Sequence, residues 1–119
     1  MGSFVYLRRI IENYVIKAAH DSAKLRYGWD DIQYQKSRVK EKIELLKTDL
    51  PDFLVENPVL YSIISKGIHE LDENECREYF PVLKNCLEFV LTELKAKKET
   101  DQKRKDMQAS LNKIAGQLK

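Results

Sequence analysis

Two histidines, two cysteines and a pair of adjacent arginines carry most of the reactive chemistry in this 119-residue sequence. His69 stands in "SKGIHEL", just ahead of an acidic turn containing Glu70, Asp72 and Glu73. An imidazole titrates near neutrality, so a histidine there can take up and return a proton. It can equally close a helix junction by capping backbone groups. His20 falls near the end of the first helical segment, where a cationic ring is favoured by the helix dipole. The two histidines lie far apart in sequence, and no metal site is expected from them. Cys76 and Cys86 are ten residues apart, a spacing with neither helical contact nor metal-ligand pattern, so both are expected as free thiols in a reducing compartment. The sequence has no glycine-rich phosphate loop, no paired-histidine metalloprotease helix and no calcium loop, and no cofactor is expected.

Helices must position these groups. Four glycines and three prolines in 119 residues favour long helices over many short strands. In the first helix Phe4, Leu7, Ile11, Tyr14 and Ala18 recur at steps of three and four, widened by Ile10, Val15 and Ala19. Arg8 and Glu12 are spaced to pair on its surface, and Gly28 supplies its exit. A second helix, capped by Asp30 or Asp31, carries Ile32, Val39, Ile43, Leu46 and Leu50 up to the stop at Pro51. After a short loop, Asn57 and Pro58 read as cap and first position of a third helix with Leu60, Ile64 and Ile68 on one face. Gly67 weakens that helix just before His69. Asp72 with Glu75 forms a capping box for a fourth helix carrying Cys76, Phe80, Leu83, Leu87, Val90, Leu91 and Leu94. Pro81 either kinks that helix or restarts it. The aromatic group Tyr27, Trp29 and Tyr34, beside Arg26, reads as a helix–helix corner, with base stacking as the alternative. The expectation is an all-α, antiparallel four-helix bundle over residues 4–94. Residues 1–3 read as a cloning scar and residues 95–119 as a basic helical tail.

That tail breaks the charge balance. From Lys95 to Lys119 eight bases face three acids, a net +5, while the remainder holds thirteen bases against sixteen acids, a net −3. Lys95, Lys97, Lys98, Lys103, Arg104 and Lys105 are therefore candidate contacts to an anion such as RNA, weighed against a simple solvated helix. The apolar pattern resumes after them as Met107, Leu111, Ile114 and Leu118. Such a two-heptad seam is too short to stand alone as a coiled coil, and it can pair with a second chain, fold back or fray. No apolar run approaches the roughly 18 residues of a membrane span, and no signal peptide is visible. A cytoplasmic protein without membrane contact is expected.

The stretches "FVYLRRIIENYVIKAA", "EKIELLKTDLPDFLVENPVLYSIISKGIHEL" and "DENECREYFPVLKNCLEFVLTEL" together resemble the HEPN superfamily, helical domains found in prokaryotic proteins. The resemblance covers Phe4 to about Leu94. It implies a bundle of four to five helices that often dimerises. In ribonuclease members it implies an Arg followed after four to six residues by a His, which together cut RNA without metal. His69 matches that His. The positions where the Arg belongs hold Ser62, Ile63 and Ile64, and no arginine occurs between Arg38 and Arg77. Stabilising a charged phosphorane needs a cation beside the base, and Arg8 or Arg9 of the first helix could supply one if the fold brings it there.

The expected function is therefore interaction without catalysis. The partner is a second copy or the missing N-terminal region of a parent protein, through the first-helix face and the Met107–Leu118 seam. Stress response or phage defence is the setting that the resemblance implies. Two alternatives stay open: an atypical ribonuclease built on His69, and an RNA-binding module built on the basic tail.

Overall fold

The computed structural model describes residues 2–118. Met1 of the opening tripeptide and Lys119 of the tail lie outside them. The described residues form helices and connecting turns with no strand, so the chain is all-α. In order they are α1 (Gly2–Ile10), a π-helical segment (Ile11–Ile16), α2 (Lys17–Ala23), α3 (Asp31–Lys36), α4 (Val39–Leu45), α5 (Asp52–Glu56), α6 (Val59–His69) and α7 (Glu73–Gln117).

α1, the π segment and α2 run on as one rod, and the π segment changes which residues the rod buries. Phe4, Leu7 and Ile11 are buried as the spacing predicts. Beyond them the buried residues are Val15, Ile16, Ala19 and Ala23, while Tyr14 is 54% exposed and Ala18 only partly covered. A π-turn holds more residues than an α-turn, so the buried stripe moves about one position along the chain. The rod ends in turns that lead to Gly28, whose φ of 83° no other described residue shares in sign.

The expected second helix is two. Of the two candidate caps, Asp30 caps α3 by accepting from the Gln33 amide at 3.0 Å. Ser37 and Arg38 then turn extended, and Ser37 Oγ donates to the Gln33 carbonyl at 2.8 Å. This local bond competes with helix continuation. The break rotates the α3 face, so Tyr34 is buried and Ile32 is 71% exposed, against the expected stripe. Ile43, Leu46 and Leu50 reach the core as expected. Pro51 opens α5, which the sequence reading takes for a loop. Asn57 donates from Nδ2 to the Phe53 carbonyl at 3.1 Å, closing α5 instead of capping α6.

α6 runs antiparallel to α1: Gly67 meets Phe4 at one end, and Tyr61 bonds Glu12 at the other. Gly67 matters here as space. A Cβ at that position would fall inside contact distance of the Phe4 ring, which is wholly buried. Asp72 caps α7 in the expected box, accepting from the Glu75 amide at 2.8 Å while the Glu75 carboxylate accepts from the Asp72 amide at 3.2 Å. The 45-residue α7 passes through Pro81 without interruption. Cys76, Leu83, Leu87, Val90 and Leu94 are its buried side, and Phe80 and Leu91 pack partly against the core. Both thiols are free, Cys76 buried and Cys86 partly so.

Beyond Leu94 no residue of α7 is buried. The molecule measures 68 × 30 × 21 Å, and a 45-residue helix at about 1.5 Å per residue accounts for the long dimension. The radius of gyration is 18.0 Å, where a compact chain of this length has about 13.5 Å. The tail therefore neither folds back nor frays: it stands out as helix.

Candidate functional site

Three places carry the groups that the sequence singles out. The first is the α1–α6 seam. Tyr61, Ser65 and His69 follow one another at steps of four along α6, which sets them on one side of the helix. Glu12 accepts a hydrogen bond from the Tyr61 hydroxyl. Burial first, and this bond second, push the Tyr61 phenol above its ordinary range, so it stays a proton donor. Arg8, one turn before Glu12, approaches it at 3.9 Å between Nε and Oε1. Arg8 Nε and Ser65 Oγ are each buried without a hydrogen-bond partner among the described residues. Arg8 thus turns toward α6, whereas Arg9 is exposed.

His69 stands at the C-terminal end of α6, exposed, with no side-chain hydrogen bond among the described residues. It does not cap the junction: the Lys66 carbonyl is taken by the Glu70 amide at 2.7 Å. Ser65, level with Arg8 in the antiparallel register, precedes His69 by one helical turn, about 6 Å of rise. The fold therefore sets one of the two candidate cations near the histidine's end of α6 without bringing the two into contact.

The second place is a corner that sequence reasoning took only in part. His20 is not simply a dipole partner. Its Nε2 lies 2.6 Å from Asp31 Oδ1, and its ring stacks on Tyr34 at 3.9 Å between centroids. Trp29 Nε1 donates to the same Asp31 oxygen at 3.1 Å. The His20 bond first, then the Trp29 bond, hold the Asp31 carboxyl down to about 2. Arg26 lies over the Trp29 ring at 5.5 Å and pairs with Asp49 at 2.7 Å. Trp29 and Tyr34 form the expected aromatic corner with His20 and Asp31 as its polar centre, but Tyr27 is fully exposed and takes no part in it. The His20 side chain is only 13% exposed, which leaves it little access to a substrate.

The third place is the outer part of α7. Lys95, Lys97, Lys98, Lys103, Arg104 and Lys105 are arranged around the whole circumference at about 100° per residue, so they form no single basic stripe. Lys98 Nζ sits 5.1 Å over the Tyr14 ring, at a cleft of ≈ 470 Å³ lined by Ile10, Tyr14, Leu91 and Leu94. Met107, Leu111, Ile114 and Leu118 are each more than half exposed.

Among the described residues no three His, Cys, Asp or Glu side chains are grouped to hold a metal ion, and no helix is long and apolar enough to cross a membrane. Compared with protein-family models, with curated proteins and with solved structures, the chain matches none.

Proposed function

We propose that this chain is a non-catalytic interaction module of HEPN-like type, an antiparallel four-helix arrangement over residues 4–94 with α7 extended as its docking element. One observation carries the proposal: Met107, Leu111, Ile114 and Leu118 are held exposed on a helix anchored in the core. An exposed apolar run on a structured element marks an interaction site. The cytoplasm of a prokaryotic cell, and a part in stress response or phage defence, complete the reading on resemblance alone. A photo-crosslinking residue at position 111 or 114, in cells producing the full chain, tests it. An adduct above monomer mass that disappears with Ile114→Lys (or Leu111→Lys, when the probe is at 114) is expected. Absence of any adduct from both positions overturns it.

A second reading is metal-independent RNA cleavage by His69 with Arg8. It is favoured by Arg8 Nε, buried without a hydrogen bond among the described residues and only 3.9 Å from Glu12, on the side of α1 that meets α6. Cleavage in EDTA that vanishes in a folded His69→Ala variant would establish it. The RNA-binding reading has less support, because the bases of the tail surround the helix. Counterion release would show in a steep loss of RNA affinity with salt.

A further inference from the structure

α7 carries a second apolar face. Seven large apolar side chains are exposed along it, counting its C-cap Leu118. Six of them, Val82, Phe89, Met107, Leu111, Ile114 and Leu118, are 52–81% exposed. At about 100° per residue all six fall in one sector about 60° wide. The buried side chains Cys76, Leu83, Leu87, Val90 and Leu94 fall in another such sector, about 120° away. The exposed stripe therefore begins within the bundle and continues to the helix end.

Charge divides the same helix in two. Glu73 to Leu94 holds two bases against five acids, a net −3, and Lys95 to Gln117 holds seven bases against three acids, a net +4. Two copies side by side in parallel would set like against like. Antiparallel copies set each acidic half against a basic half. The chain's own extension cannot reach the stripe, because α7 is one uninterrupted helix.

We infer that a second copy of this chain covers the stripe, with the two α7 helices antiparallel and their two-fold axis near Lys98. This rests on the reading of α7 as a docking element. In that register Phe89 faces Met107, Val82 faces Ile114, and Ala96 faces Thr100, each pair formed twice. Glu93 faces Lys103. Glu93 Oε1 accepts from the Phe53 amide at 3.0 Å, and a carboxylate retains further acceptor capacity for the partner's ammonium. Ala96 and Thr100 are small, so the helices can approach closely at the centre. Lys98 points away from the stripe, toward Tyr14. Six side chains per copy, at roughly 100 Å² each, cover on the order of 1,200 Å² over two copies, within the range of specific interfaces.

The test uses the full chain with Cys86 replaced by serine. Light scattering should give twice the 14.0 kDa chain mass. Mixed Phe89→Cys and Met107→Cys chains should form a disulfide-linked pair. Leu111→Cys alone should not, because the two Leu111 positions lie about 39 Å apart along the axis, beyond any disulfide. Glu93→Lys should weaken the dimer by about threefold to tenfold, and adding Lys103→Glu should restore it. A monomer at every concentration overturns the inference, as does self-linked Leu111→Cys, which marks a parallel pair. If the position-111 probe captures a different protein while the purified chain is monomeric, this inference falls and the docking reading stands.

Discussion

The two halves of α7 share one backbone geometry and have opposite surroundings. From Glu73 to Leu94 the helix is held by α1, α5 and α6, with five side chains buried. From Lys95 to Gln117 it is equally regular with none buried. Tertiary burial supports the first half. In the second, regularity comes from helix-forming residues and from local pairs such as Gln102 with Asp106 at 2.9 Å and Gln108 with Asn112 at 3.0 Å. The contrast shows that helix content and packing are separable along a single element: one half is core, the other a bare rod.

The largest effect should come from the packed half's partners. Phe4→Ala should remove about 3–5 kcal/mol of stability, read by urea unfolding, and Gly67→Ala should cost about 1–3 kcal/mol by overpacking the same contact. A change of less than 1 kcal/mol in both would mean that the α1–α6 seam does not hold the packed helices together. Within α7 itself, Leu87→Ala should cost about 3 kcal/mol. Ala109→Gly, on the bare half, should lower helical ellipticity with local cost of about 1 kcal/mol and leave the urea midpoint of the packed helices in place. Equal shifts in midpoint would erase the distinction between the halves.

Acid should act at the His20–Asp31 corner. Asp31 is depressed in the folded state, so its contribution is present above the ordinary carboxylate value near 3.9 and is lost as pH falls toward about 2. Asp31→Asn should flatten the fall in melting temperature across that window. An unaltered pH profile would remove Asp31 from the account. The smallest effect is expected from His69→Ala, within about 0.5 kcal/mol, because the ring is exposed and unbonded. A larger loss, measured by the same unfolding curves, would give His69 a structural part.

Much of this architecture was legible. The Asp72 box, the Asp30 cap, the Gly28 exit, the Arg8–Glu12 pair and the buried residues of α7 all follow from local rules that near neighbours can satisfy. What escaped depends on geometry that accumulates or on distant partners. The π segment shifts burial from Tyr14 to Val15 and Ile16, and nothing in "IENYVI" announces an additional residue in the turn. The Ser37 break splits a continuous apolar pattern. Gly67 looks like a weak point until Phe4, far away in sequence, occupies the space it leaves. His20 and Asp31 meet only because the chain turns between α2 and α3. The Met107–Leu118 seam was visible as a period, but its direction was not. Leu111 and Leu118 keep heptad phase with Leu83 and Val90, yet a straight helix drifts about 20° per heptad, enough over three or more heptads to carry them off the core face, while Met107 and Ile114 keep phase with the partly buried Cys86.

Because α7 is unbroken, the charged stretch from Lys95 to Asp106 is constrained in length more than in composition. Its bases can be exchanged for one another, and its acids likewise, with little consequence for geometry or for the charge offered to the partner's acidic half. Deleting one residue, however, would swing everything beyond it by about 100° and draw it in by about 1.5 Å. Insertions of seven or eleven residues would nearly restore the original heading, and intermediate lengths would not. Variation tolerated by substitution and refused by single-residue insertion is the mark this helix should leave on its descendants.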